Sequence, residues 1–128
     1  LREAAKLLVA AQNPVIVADR CARSQEGVDA LVKLAESLQC PVISTGTRMN
    51  FPTTHYLELS ESRAGLIRAA DVILMLEVQD PWGFLHSLGD PWKDVRRTAK
   101  PDVKLIQISF ADFTCISATL RIAATVSS

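Results

Sequence analysis

The chain has 128 residues, which is enough for one domain with one hydrophobic core but not for two. Apolar residues make up 48% and charged residues 22%, a composition that excludes intrinsic disorder. Fourteen Lys and Arg balance fourteen Asp and Glu, so the excess positive charge that nucleic-acid binding needs is absent. The apolar run at residues 72–76 is closed by Glu77, whereas a membrane-spanning helix needs about 20 such residues.

Both ends of the chain suggest a domain taken from a longer protein. Leu1 is not a methionine and already belongs to an amphipathic pattern, and Ser127 and Ser128 directly follow an apolar stretch. We therefore expect residues 1–128 to be a single domain excised from a larger chain. Catalytic residues of that protein are then expected outside this sequence.

The cysteines and histidines do not predict a disulfide framework or a zinc site. Cys21, Cys40 and Cys115 are odd in number and widely spaced, which is typical of reduced thiols in a cytoplasmic protein. His55 and His86 lie far from each other and from the cysteines, whereas zinc sites use three or four ligands at characteristic local spacing. We expect no metal site in this chain.

The first half of the chain alternates helical patterns with short apolar runs. Apolar residues at three- and four-residue steps predict a helix over 2–12, which Asn13-Pro14 ends because proline lacks an amide N–H. The β-branched run at 15–18 predicts a strand covered on both faces. A second helix, capped by Ser24, then leads to a strand at 42–45.

The second half continues the alternation less clearly. Residues 56–59 alternate weakly, which predicts a short strand, and Ser60 is placed to cap a third helix. The buried face of that helix is expected to contain Ala64, Ile67 and Ala70. Residues 79–101 are predicted to be irregular. Further apolar runs predict strands at 72–76, 104–108 and 120–126.

The spacing of these elements indicates the fold class. Helix and strand alternate about every 25–30 residues, which is the rhythm of βαβ units. Right-handed crossovers then place helices on both faces of the sheet. The predicted fold is a three-layer, doubly wound α/β domain, Rossmann-like, with a mostly parallel sheet of five to six strands.

In such a fold ligands bind beyond the carboxyl ends of the strands. This edge predicts a nucleotide crevice formed by Asp19, Arg20, Thr45, Gly46 and Arg48. The arginines could hold a phosphate or carboxylate in bidentate fashion, or could instead form surface or inter-subunit salt bridges. No glycine follows the first strand, so the fingerprint that brings a backbone close to a diphosphate is absent.

No pair of a nucleophile and a base is evident. Ser44 has no neighbouring histidine. Glu77 follows a central strand and is either a functional carboxylate or a solvated acid. We expect the aromatic residues of the irregular segment to contact another domain or subunit: Trp82, Phe84 and Trp92.

The order of short segments resembles the central domain of thiamine-diphosphate-dependent enzymes such as acetolactate synthase, benzoylformate decarboxylase and benzaldehyde lyase. The matching segments span positions 4–108. They are Ala4-Ala5-Lys6-Leu7-Leu8, Asn13-Pro14 with 15–18, Leu34-Ala35-Glu36, Cys40-Pro41 with 42–45, Phe51-Pro52 with His55, Ala70-Asp71 with 72–74, and 104–108.

The resemblance implies a parent chain of three domains that acts as a lyase, decarboxylase or transferase-type synthase on 2-keto acids or related carbonyl compounds. Thiamine diphosphate and Mg²⁺ would be bound by the flanking domains. This domain would be a non-catalytic scaffold in a homodimer or homotetramer. The alternative is that it binds an adenine nucleotide such as ADP, coenzyme A or FAD.

The sequence departs from the nucleotide-binding members of the family at two places. Arg20-Cys21-Ala22 replaces their glycines, and Ser109-Phe110-Ala111 replaces the acids that often follow the strand equivalent to 105–108. Both departures weigh against bound FAD, and the match is poor from residue 109 onward. A third alternative, a free-standing deacetylase-like enzyme, needs a catalytic histidine in a glycine-rich setting. Neither His55 nor His86 has one.

Overall fold

The computed structural model describes residues 2–19, 24–44, 51–78, 86–87, 96–97, 99–109 and 120–123. Its helices are α1 (Arg2–Ala10), α2 (Gln25–Leu38) and α3 (Arg63–Ala69), the last preceded by a 3₁₀ turn at Ser60–Ser62. Its strands are β1 (Pro14–Ala18), β2 (Val42–Ser44), β3 (Val72–Leu76), β4 (His86–Ser87), β5 (Arg96–Arg97), β6 (Lys104–Ser109) and β7 (Leu120–Ala123).

The main sheet is parallel and has the strand order β2-β1-β3-β6-β7. Ile16 pairs with Val42 on one side and with Leu74 on the other, which places β1 between β2 and β3. The predicted α/β class and parallel sheet are confirmed. The total number of strands stays a prediction, because residues 110–119 and 124–128 lie outside the described residues.

Helices cover both faces of this sheet, so the three layers are also confirmed. One core cluster joins α1 and α2 to the sheet through residues such as Leu8, Leu31 and Ile16. A second cluster joins α3 to the opposite face through Ile67 and Ile73. Because β1 and β3 are buried on both faces, they form continuous apolar runs rather than alternating ones.

The ends of α2 agree with the sequence signals. The Ser24 hydroxyl accepts the N–H of Gly27, as expected for an N-cap. At the other end Gln39 takes the left-handed conformation, with φ of 49°, and its N–H donates to the Glu36 carbonyl. The N–H of Cys40 then donates to the Ala35 carbonyl, which stops the helix just before β2.

The expectations for residues 56–64 need correction. Ser60 does not cap α3, because its hydroxyl accepts the Ser44 N–H at the end of β2. No side-chain hydrogen bond caps the start of α3. Ala64 is exposed, whereas Ile67 and Ala70 are buried as predicted. The predicted strand at 56–59 is reduced to one parallel bridge between Glu58 and Val42.

The segment predicted to be irregular contains one regular feature. Strands β4 and β5 form a short antiparallel pair in which His86 lies opposite Arg97. Trp82, Phe84 and Trp92 lie outside the described residues. Within the described ranges, no helix has the length and apolar character needed to cross a bilayer.

Candidate functional site at the carboxyl edge of the sheet

The strand order places the expected ligand-binding crevice between β1 and β3. The chain runs from β1 to β2 on one side of β1, and returns to β3 on the other side. In doubly wound sheets ligands bind beyond the carboxyl ends of the strands at such a reversal. The residues that follow these two strands are Asp19 and Glu77.

Asp19 is the only member of the predicted crevice within the described residues. It is half-buried, and its N–H donates to the Leu76 carbonyl over 3.0 Å, which extends the pairing of β1 with β3. The structure therefore places Asp19 at the reversal of strand order. The other predicted members, Arg20, Thr45, Gly46 and Arg48, lie outside the described residues.

Glu77 has an unusual backbone conformation at the same edge. Its φ is 54°, in the left-handed region that residues with a side chain seldom occupy. Its N–H donates to the Ile108 carbonyl over 2.9 Å, and the following Val78 is fully buried. The sequence drew attention to Glu77 as a strand-end acid but held no signal for this conformation, since a glycine is the usual residue there.

Serine and glutamate side chains close the carboxyl end of β2. The Ser60 hydroxyl accepts the Ser44 N–H over 2.9 Å. The same hydroxyl donates to the Glu58 carboxylate through a short contact. These contacts hold the backbone of Ser44 in place at the end of β2.

Gln107 is a buried polar residue that sequence reasoning missed. It lies in β6 opposite Met75 and is only 2% exposed. Neither its amide nitrogen nor its amide oxygen has a hydrogen-bond partner within the described part of the chain. An unpaired buried amide is costly. The position of Gln107 between Ile106 and Ile108 in a predicted strand was the available signal.

At the opposite, amino edge of the sheet, Asp71 links the α3–β3 connection to the α1–β1 connection. Its carboxylate accepts the N–H of Gln12 over 2.8 Å and the N–H of Asn13 over 2.9 Å. Burial tends to raise the pKa of Asp71, but these backbone N–H groups, with those of Asp71 and Val72, hold the pKa below its ordinary value. The carboxylate is therefore a structural group.

A second polar cluster joins residues 51–57 to the end of α2. His55 Nε2 lies 2.8 Å from Glu36 Oε1, and its Nδ1 accepts the Leu57 N–H over 3.1 Å. Because Nδ1 is an acceptor, the neutral ring carries its proton on Nε2. The ring also packs edge-on against Phe51 and stacks on Tyr56. Both ring nitrogens of His55 are thus used within the fold.

Cys40 is not a nucleophile in this fold. It is fully buried, and its thiol lies 3.5 Å from the Pro41 carbonyl oxygen. Burial raises the pKa of Cys40 to about 12, so the thiolate that nucleophilic chemistry needs is scarce at neutral pH. Within the described ranges, no three His, Cys, Asp or Glu side chains are grouped so that they could hold a metal ion.

The chain matches one family model along almost its entire length. That model is described as "Thiamine pyrophosphate enzyme, central domain", and it covers residues 1–126. This chain belongs to that family. The resemblance inferred from the short segments at positions 4–108 is therefore confirmed.

Two solved structures share the fold. One is a thiamine-diphosphate-dependent 4-hydroxybenzoylformate decarboxylase from Rhodococcus jostii RHA1, 22% identical over 84% of this chain, with a TM-score of 0.62. The other is a benzoylformate decarboxylase from Polynucleobacter necessarius, 21% identical over 94% of this chain, with the same TM-score. The matched region is only 21% and 23% of those two chains.

Several of the segments that match the family supply residues that hold the connections of this domain together. Asn13 and Asp71, from two of those segments, meet at the amino edge of the sheet. Glu36 and His55, from two others, meet beside α2. The pattern that identifies this central domain therefore includes the contacts that hold its connections in place.

Proposed function

We propose that this chain is the non-catalytic central domain of a longer enzyme that depends on thiamine diphosphate. The observation that carries the proposal is the family match over residues 1–126, with its parallel, doubly wound sheet. The parent enzyme is proposed to be a lyase, decarboxylase or synthase that acts on 2-keto acids or related carbonyl compounds. The two decarboxylases that share this fold favour a decarboxylase.

A scaffold role is supported by how the reactive side chains of the described residues are used. The Cys40 thiol is buried, and its pKa of about 12 keeps it protonated. Both ring nitrogens of His55 are occupied, one by Glu36 and one by the Leu57 N–H. Asp71 binds two backbone N–H groups. These groups stabilise the domain, which fits a role in positioning its neighbours.

Thiamine diphosphate and Mg²⁺ are proposed to bind to other domains of the parent. Thiamine diphosphate supplies a carbanion that adds to a carbonyl carbon, and the protein around it supplies orientation and electrostatics. The described residues gather no set of ligands suited to a metal ion. We therefore derive no step of the reaction from this chain.

The test uses the full-length protein with and without thiamine diphosphate and Mg²⁺, assayed for decarboxylation of a panel of aromatic 2-keto acids. We expect turnover only when both are present. A variant with Asp71→Ala should unfold at a lower temperature, yet keep the kcat and KM of the folded wild-type enzyme. Turnover without thiamine diphosphate would contradict the proposal, and so would a loss of kcat in a fully folded Asp71→Ala enzyme.

A second candidate function is binding of an adenine nucleotide, ADP or coenzyme A, at the predicted crevice. It is favoured by the position of Asp19 at the reversal of strand order, where a carboxylate can accept hydrogen bonds from ribose hydroxyls. FAD is the less favoured ligand because no glycine follows β1. ADP should raise the melting temperature of the full-length protein, and Asp19→Asn should abolish the shift.

The parent is proposed to be a cytoplasmic homodimer or homotetramer that binds no nucleic acid. The buried, free thiol of Cys40 fits a reducing compartment. Light scattering of the full-length protein after gel filtration tests the assembly, and a monomeric mass at micromolar concentration would contradict it.

A further inference from the structure

Tyr56 is an exposed aromatic side chain with a fixed position. It is the single tyrosine of the chain and is 63% exposed. Its ring stacks on His55 with centroids 4.6 Å apart and an interplanar angle of 21°. Its hydroxyl oxygen accepts a hydrogen bond from the Gln39 amide over 3.1 Å. The ring is thus held at its face and at its tip while its other face is open to solvent.

The support beneath Tyr56 is itself well anchored. His55 is fixed by Glu36 and by the Leu57 N–H, and Phe51 packs against it at 4.9 Å. Phe51 belongs to the buried core on the α1 and α2 face. Gln39 donates a further bond to the Glu36 carbonyl over 2.7 Å. We call Glu36, Gln39, His55 and Tyr56 the Tyr56 platform.

A rigid aromatic ring with a polar tip has the properties of an interface anchor. Binding usually costs side-chain entropy, and that cost is small for a side chain already held in one position. Tyrosine is enriched where proteins meet because one end is apolar and the other can form hydrogen bonds. The Tyr56 side chain therefore needs little further ordering when a partner binds.

We propose that the Tyr56 platform is the contact surface for another domain of the same polypeptide. This inference rests on the proposed function, which gives the chain neighbouring domains. The matched region is 21% to 23% of the related chains, so about four-fifths of their length lies elsewhere. Domains of one chain contact each other through surfaces that resemble protein–protein interfaces. The Tyr56 platform is a surface of that kind.

The composition of the surface favours a domain of the same chain over a second copy. Permanent homodimer interfaces are large and more apolar than the rest of the surface. The large exposed apolar side chains of the described residues number four, and charged or polar neighbours such as Glu36 and Gln39 surround Tyr56. Contacts between domains of one chain are more polar, and this matches the platform.

Nitration of Tyr56 in the full-length protein tests the proposal directly. Tetranitromethane modifies accessible tyrosine rings, and mass spectrometry of the peptide that contains Tyr56 gives the rate. If a domain covers the ring, we expect nitration at least about tenfold slower in the native protein than in urea, because access then needs local opening. A native rate within about twofold of the unfolded rate would overturn the proposal.

Cross-linking distinguishes a domain of the same chain from a second copy. Ser37 is exposed on α2, two residues before Gln39, so Ser37→Cys can carry a thiol-reactive benzophenone next to the platform. A cross-link to a peptide outside residues 1–128, at the mass of a single chain, supports the proposal. A product at twice the mass of the chain overturns the assignment to the same chain.

Variants give a second readout. Tyr56→Ala should make cleavage sites outside residues 1–128 at least about fivefold more sensitive to protease, because the neighbouring domain loses its anchor. Tyr56→Phe, which keeps the stacked ring, should stay near the wild-type rate. Val9→Ala is the matched control, since Val9 is 75% exposed on α1. If Tyr56→Ala and Val9→Ala behave alike, the proposal fails.

The two proposals can fail separately. An enzyme that needs thiamine diphosphate but whose Tyr56 is nitrated freely would refute only the contact surface. A full-length protein that is active without thiamine diphosphate would refute the proposed function, whatever the protection of Tyr56.

Discussion

The two edges of the parallel sheet use their polar residues differently. At the amino edge, Asp71 binds the backbone of the α1–β1 connection, and His55 and Tyr56 bind Glu36 and Gln39 at the end of α2. Toward the carboxyl edge, the Gln107 amide is unpaired within the described residues. A left-handed residue occurs on both sides, Gln39 at the end of α2 and Glu77 after β3. Hydrogen bonds that stabilise the fold are thus found at the amino edge, whereas the region near the carboxyl edge holds a buried amide that destabilises it.

That division has a physical basis. Strain and unpaired polar groups persist only where the surrounding structure holds them, and such groups concentrate at functional sites. The carboxyl edge is also where ligands bind in doubly wound sheets. We therefore expect substitutions of polar residues at the amino edge to lower the free energy of unfolding, and removal of the unpaired amide near the carboxyl edge to raise it.

The largest effect is expected from Asp71→Ala. It removes a charged acceptor from the N–H groups of Gln12 and Asn13, which are exposed enough to bind water in its place. We expect the free energy of unfolding to fall by about 2–3 kcal/mol, since hydrogen bonds to charged groups contribute about 1.5–3 kcal/mol each. Urea unfolding measures it. An Asp71→Asn variant as stable as the wild type would show that the charge contributes nothing.

The same carboxylate predicts how stability depends on pH. The pKa of Asp71 is lower in the folded state than its ordinary value of 3.8. Its contribution is therefore complete above the unfolded pKa and is lost as the pH falls through the lower, folded pKa. Between about pH 5 and pH 2 the wild-type chain should lose more stability than Asp71→Asn. Parallel losses in the two proteins would contradict this linkage.

A gain in stability is expected from Gln107→Met. Methionine has a similar volume and removes an amide that is buried without a partner in the described structure. Replacement should raise the free energy of unfolding by about 1–2 kcal/mol, whereas Gln107→Glu should lower it because it would bury a charge. Destabilisation by Gln107→Met would reveal that the amide binds a group at the carboxyl edge.

The smallest effect is expected between the two edges, in α3. Gly65 is exposed, and a Cβ placed on it would meet no atom within 4 Å. Gly65→Ala should therefore stabilise the domain by about 0.5–1 kcal/mol through helix propensity alone. Thermal unfolding checks the sign, and Ala64→Gly is the reciprocal control. A destabilising Gly65→Ala would mean that another surface packs against α3 at Gly65.

Much of the fold could be predicted because its signals are local. The run at 72–76 lies in a strand with those bounds, since a strand buried on both faces must be apolar throughout. The strand predicted at 104–108 extends by one residue, to Ser109. Ser24 was predicted as a cap because capping involves residues three positions apart. Ser60 was predicted wrongly for the same reason, because its hydroxyl binds the Ser44 N–H, 16 positions away.

The candidate site was less accessible to prediction. Asp19 was placed correctly at a strand end, because the position of an edge follows from the pattern of strands. The conformation of Glu77 left no periodic trace in the sequence. Nor did the lack of a partner for the Gln107 amide among the described residues, since both depend on what the neighbouring strands place around them. The role of His55 likewise required knowing that Glu36 lies beside it.

The sequence alone determined the three helices, the strands of the main parallel sheet and the family, because hydrophobic periodicity and short segments are properties of neighbouring residues. The tertiary structure alone decided the strand order, and with it the reversal at Asp19. It also decided that Asp71 binds Asn13, 58 positions away, and that Tyr56 stands exposed on His55. Such contacts depend on how distant segments pack, and that information is spread over the whole chain.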